Sequence, residues 1–146
     1  MATAVRIDPV RGYNFKVELD GLTVAGFREV SGLSFTTDVV EYREGKEETL
    51  HPRKLRGIRK FANIVCKRGM TNNKELFAWY KLTLNGKPGD RKNGAIVLTD
   101  EEQKQVQRWN FVNAWITKWE GPTLNATAND VAIETIEIAV ERVEMA

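Results

Sequence analysis

Apolar and polar residues alternate with a period of two near the start of the chain. Tyr13, Phe15, Val17 and Leu19 interleave with Asn14, Lys16 and Glu18, the pattern of a strand with one face on a core. Asp20-Gly21 follows, and Leu22 and Val24 resume the alternation. Asp-Gly between such runs predicts a tight hairpin, because a type I′ turn needs φ > 0 at both central residues. β-Branched and aromatic content predicts a third strand over Leu33–Tyr42, through Phe35, Val39 and Val40. Further strands are predicted over Asn63–Lys67, Gly94–Thr99 and Gln105–Trp115, with Asp100-Glu101-Glu102 as an exposed turn.

One helix is signalled. Asn72 is a candidate cap, and Glu75 three residues later gives a capping-box pattern. Leu76, Phe77, Trp79 and Tyr80 form a bulky apolar stripe, and Asn85-Gly86-Lys87-Pro88-Gly89 breaks it. The last stretch, Val131–Met145, reads two ways. Ile133, Ile136, Val140 and Val143 recur at helical spacing, as do Glu134, Glu137, Glu141 and Glu144. Yet seven of the thirteen residues from 131 to 143 are Val, Ile or Thr, which favours a strand. A strand there requires a phase slip near Thr135-Ile136, such as a bulge. The residues leave both readings open.

Residues 43–60 fit neither period. Arg43-Glu44-Gly45-Lys46-Glu47-Glu48 is polar throughout, and His51-Pro52-Arg53-Lys54-Leu55-Arg56-Gly57-Ile58-Arg59-Lys60 follows. This predicts a long exposed loop or an extended hairpin beyond the body. Such segments in small domains are usually functional or disordered.

The length of 146 residues suits a single domain over 1–146 with a real core. At 42% hydrophobic and 29% charged residues, the composition is that of a globular protein. The 22 Lys+Arg against 20 Asp+Glu leave a net charge of +2, too small for a dedicated nucleic-acid coat. No apolar run is long enough for a membrane anchor, and Met1–Asp8 holds no signal-peptide h-region.

Catalytic raw material is scarce. His51 precedes Pro52 in the charged segment, without a positioned carboxylate or a pocket. Cys66, beside Val65 in a strand pattern, reads as a small buried hydrophobe; only Lys67 and Arg68 argue for a thiolate. Gly86-Lys87-Pro88-Gly89 lacks the rest of a phosphate loop. The residues point to no metal, no cofactor and no enzyme.

Charge order is more informative. Glu41–Glu48 holds four acids and two bases, Arg53–Arg68 seven bases and no acid, and the C-terminal segment four Glu against one Arg. Three readings are open. The charges are a solvated surface paired within the chain. Or the basic run contacts nucleic acid, although it lacks interleaved aromatics apart from Phe61. Or the chain self-assembles, with acidic and basic edges in a heterologous interface. On the last reading the interface candidates are Glu41, Arg43, Glu44, Lys46, Glu47, Glu48, Arg53, Lys54, Arg56 and Arg59.

Several stretches together resemble the tail tube proteins of contractile phages and related injection systems. They are Asp8-Pro9-Val10-Arg11-Gly12-Tyr13-Asn14-Phe15-Lys16-Val17-Glu18; Phe27-Arg28-Glu29-Val30-Ser31-Gly32-Leu33; Val40–Gly45 with Arg53–Gly57; Asn63–Gly69; Leu76-Phe77-Ala78-Trp79; Trp109–Trp115; and Asn125–Glu134. The match runs over about residues 8–143, with Cys66 where Leu is more usual. The resemblance implies a mainly β fold: an antiparallel β-barrel or sandwich with one flanking α-helix. It settles the C-terminal stretch as strand. It implies hexameric rings whose sheets join around a lumen, stacked head to tail into a tube within a sheath. Implied partners are other copies of the chain, a sheath protein, baseplate and terminator or cap proteins, and cargo or DNA in the lumen. Assembly is expected in the cytoplasm, followed by incorporation into a tail or particle. The arm over 43–60 is expected to reach a neighbouring subunit or ring. The expected core is Phe15, Val17, Leu76, Trp79, Trp109 and Phe111, while Trp115 and Trp119 suit core or interface.

Overall fold

The computed structural model describes residues 12, 14–20, 27–69, 74–86, 91–127 and 131–146. Nine strands and one helix lie in these residues: β1 (Phe15–Leu19), β2 (Glu29–Ser31), β3 (Phe35–Tyr42), β4 (Arg53–Phe61), β5 (Ile64–Gly69), α1 (Glu75–Leu84), β6 (Lys92–Thr99), β7 (Gln105–Glu120), β8 (Ile133–Ala139) and β9 (Arg142–Met145). Every pairing is antiparallel.

Seven strands form the body in the order β1-β6-β7-β8-β5-β2, with β9 also on β7. Of barrel and sandwich, the sandwich is what forms: β1 and β2 end the path and do not pair with each other among the described residues. The long β7 joins the two halves. Its first part pairs β6 and β9, and its second part pairs β8. Between them Asn113 takes a left-handed φ of 53°, which Asn tolerates better than most residues. Its amide donates to Glu141 Oε2 at 2.7 Å, and its N–H donates to Asn93 Oδ1 at 3.0 Å.

The core draws Val17 and Leu19 from β1, Ile96 from β6, Phe111, Ala114 and Ile116 from β7, Ile136 and Ile138 from β8, Ile64 and Cys66 from β5, and Leu76 and Trp79 from α1. Of the expected core residues, Val17, Leu76, Trp79 and Phe111 are buried, while Phe15 and Trp109 pack against the core partly exposed. Strand β7 continues five residues beyond the predicted end at Trp115. Trp119 therefore lies in a strand, 5.3 Å from the Phe77 ring on the helix.

Two local expectations change. The helix starts at Glu75, with Lys74 in the cap position and no side-chain cap bond. Glu75 is thus its first residue rather than the third that a capping box requires; Asn72 lies outside the described residues. The C-terminal stretch is strand, but without a slip at Thr135-Ile136. The β5–β8 register runs unbroken from Ile133 to Ile138, and the irregularity falls on the facing strand between Ile116 and Lys118. The break in apolar phase has another cause: Glu134 occupies a buried position, paired with Arg68. The Asp20-Gly21 hairpin, with Leu22 and Val24, also extends beyond the described residues.

Candidate assembly interface

Strands β2 and β5 leave the body and continue as β3 and β4. The register holds across the junction, from Glu29↔Lys67 to Phe35↔Phe61. Gly32 makes the bend possible. Its φ is +92°, and a Cβ there would stand 2.0 Å from the Asn63 carbonyl oxygen, a position open only to glycine. Beyond the bend, β3 and β4 pair only with each other among the described residues. Residues 43–60 are therefore a hairpin rather than a loop: 43–52 form its tip, and Arg53–Phe61 is a strand.

A two-stranded ribbon is marginal in water unless something covers it. This one exposes Val39 (61%), Val40 (50%), Tyr42 (48%), Leu55 (49%) and Ile58 (69%). Charge order did not flag these apolar residues as interface candidates. A signal was present in the adjacent Val39-Val40, which put an apolar residue on each face of one strand.

The ribbon collects every charged candidate. Glu41 lies opposite Lys54, Tyr42 opposite Arg53, Val39 opposite Arg56, and Thr37 opposite Arg59. In the tip, Arg43 donates to the carbonyls of Thr49 (3.0 Å) and Glu47 (3.4 Å), Glu44 accepts from the Tyr42 hydroxyl at 3.3 Å, and Glu47 meets Arg53 at 2.8 Å. Lys46 and Glu48 are exposed beside them. A bulge between Thr37 and Val39 sets Gly57 and Ile58 against Asp38 alone. A Cβ on Gly57 would lie 2.9 Å from the Asp38 carbonyl oxygen.

His51 is exposed at the tip. Cys66 is 1% exposed, and burial pushes its thiol up to about 12. The neighbouring Arg68, one of the two bases that argued for a thiolate, is held by Glu134 instead. Among the described residues no cluster of three or more His, Cys, Asp or Glu is arranged to hold a metal ion. No described helix is long and apolar enough to cross a membrane.

A two-layer β body, one helix and a bare hairpin together match a known assembly fold. The family model for the T4-like virus tail tube protein gp19 matches residues 11–144. The chain belongs to this tail tube family. Solved structures agree. The chain is 31% identical to a chain of the PVC sheath/tube terminator, an extracellular contractile injection system in the extended state, covering 98% of this chain and 99% of that one with a TM-score of 0.83. It is 30% identical to a chain of the PVC sheath–tube complex, covering 94% and 91% with a TM-score of 0.80. It is 25% identical to a chain of the anti-feeding prophage baseplate, covering 97% of both chains with a TM-score of 0.85. No curated protein matches the chain. The tail tube family is structural, and this member is a tube subunit of a phage-tail-like contractile system.

Proposed function

We propose that this tube subunit closes into hexameric rings that stack head to tail, and that the β3–β4 hairpin is the arm that holds one copy to the next. The observation that carries this is the uncovered ribbon. Val40, Tyr42 and Leu55 are half exposed on a hairpin that packs on nothing else among the described residues. A second copy provides the missing cover, and ring closure also pairs the edges of β1 and β2 that are open among the described residues. Docking uses the apolar side and the tip, where Arg43, Glu44, Lys46, Glu47, Glu48 and Arg53 lie. Glu41, Lys54, Arg56 and Arg59 occupy the remaining side, at the edge of that contact.

Likeness to chains of sheath–tube, terminator and baseplate complexes supports a sheath, a terminator or cap, and a baseplate as partners. Cargo or DNA passes down the lumen, and no chemistry is performed. Assembly takes place in the cytoplasm before the tube joins its particle. Electron microscopy of the purified protein tests this reading: sixfold rings or tubes are expected, and a persistent monomer at high concentration overturns it. The baseplate likeness favours a second reading within the family, a tube-initiating paralogue. An initiator stops at a single ring where a main tube protein polymerises.

A further inference from the structure

We infer that one side of the β3–β4 ribbon binds single-stranded nucleic acid, with Lys54, Arg56 and Arg59 on phosphates and Phe35 and Phe61 as a stacking surface. Directly opposed residues of an antiparallel pair project to the same side. From base to tip, this side carries Phe35 with Phe61, Thr37 with Arg59, Val39 with Arg56, and Glu41 with Lys54.

The bulge assembles the set. Two residues of β4 oppose one of β3 at Asp38, so the alternation of β4 shifts by one there. In a regular strand Arg59 would project away from Arg56 and Lys54; with the bulge all three point the same way. They border a concavity of about 310 Å³ that Thr37, Asp38, Val39 and Leu55 also line. None of the three has a carboxylate within 4.0 Å among the described residues. The bases on the other side are paired: Arg53 with Glu47 at 2.8 Å and Lys60 with Asp38 at 3.9 Å. Three cations and one carboxylate, Glu41, share this side, and the net positive charge favours an anion. Two of the cations are arginines, whose planar forks match phosphate oxygens.

The aromatic pair identifies the anion. Register places Phe35 beside Phe61, with ring centroids 5.7 Å apart and Phe35 61% exposed. A basic track ending on an exposed aromatic surface is the arrangement that holds single strands, backbone on cations and base on ring. An acidic surface of a second copy is disfavoured. Glu18, Glu102, Glu141 and Glu144 on the body are already paired with Arg108, Lys104, Arg91 and Arg142, at 2.9–3.1 Å. The site is complete within one chain and does not rest on the tube reading.

The test is a titration of full-length protein into fluorescein-labelled oligothymidine at several salt concentrations. Three variants accompany it: Lys54→Gln/Arg56→Gln/Arg59→Gln, Phe35→Ala, and the control Lys60→Gln. The triple variant is expected to flatten the salt dependence by about 2, at about 0.7 for each phosphate no longer neutralised. Phe35→Ala is expected to weaken binding about tenfold with the slope unchanged, and the control to match wild type. No binding by wild type, a triple variant equal to wild type, an equal loss in the control, or binding to polyglutamate as tight as to the oligonucleotide each overturns the inference. If the triple variant fails to fold, Arg56→Gln alone replaces it, with an expected slope change of about 0.7. Tubes without oligonucleotide binding remove this inference and leave the assembly reading; binding without tubes does the reverse.

Discussion

Arg68 on β5 and Glu134 on β8 stand directly opposite each other and form an ion pair inside the sandwich, 3% and 6% exposed. The Arg68 guanidinium also lies 5.9 Å from the centre of the Phe27 ring. The pair ties the register of two central strands to one salt bridge: a one-residue slip would bury Arg68 without its carboxylate. Glu134→Gln should therefore destabilise the protein by about 3–5 kcal/mol, because removing one charge of a buried ion pair is strongly destabilising. Arg68→Met with Glu134→Leu should recover most of that loss, since an apolar pair of similar volume carries no desolvation cost. Urea unfolding of both variants measures the difference.

The same pair shows where the residues could and could not be read in advance. Alternation gave β1, which has one face on the core, and β5 and β6 fall within two residues of their expected bounds. In β8 the buried positions are Glu134, Ile136 and Ile138. A glutamate in the core phase made the stretch look helical, and only a partner more than sixty residues away explains it. The hairpin was legible as an exposed excursion and as a cluster of charge. Its two sides were not, because they depend on the bulge at Gly57, and a bulge leaves no mark on periodicity until the register is known. The pairing of Phe35 with Phe61 was hidden for the same reason.

Trp79 is 1% exposed and joins the helix to the core. Trp79→Ala should cost about 3–5 kcal/mol, the range for deleting a large buried aromatic. Phe77 on the same helix is 36% exposed, so Phe77→Ala should cost clearly less. Thermal unfolding of the two variants side by side checks the ranking.

Cys66 should report unfolding. Its thiol is held up near 12 against an ordinary 9.0, so the folded chain keeps a proton that the unfolded chain loses. Above about pH 9 the folded state therefore binds more protons than the unfolded state, and stability must fall as pH rises. The slope is about 1.4 kcal/mol per pH unit for this one group. Below pH 9 the contribution is flat. Denaturant titrations between pH 8 and pH 11 should show this bend, and Cys66→Ala should reduce it. At pH 8 a thiol reagent should label the native protein only as fast as it opens.

Val40 and Leu55 lie opposite each other on the ribbon, 50% and 49% exposed, on the side away from Lys54 and Arg56. In an isolated subunit half of each side chain lies in water, so Val40→Asp with Leu55→Asp should cost the monomer about 1–2 kcal/mol in all, from lost strand propensity and from two like charges directly opposite each other. On the proposed docking they are covered in an assembled tube, where two buried carboxylates without partners are prohibitive. The variant should fold normally and form no rings or tubes. Reversing the tip base, Arg53→Glu, breaks the contact with the mostly buried Glu47 and sets a like charge beside it, at a cost of about 1–3 kcal/mol, and should weaken assembly without abolishing it. Sedimentation velocity paired with a melting curve separates the cases. If the aspartate variant melts far earlier than its cost implies, the apolar side packs within the chain. If it assembles like wild type, the arm docks by its other side.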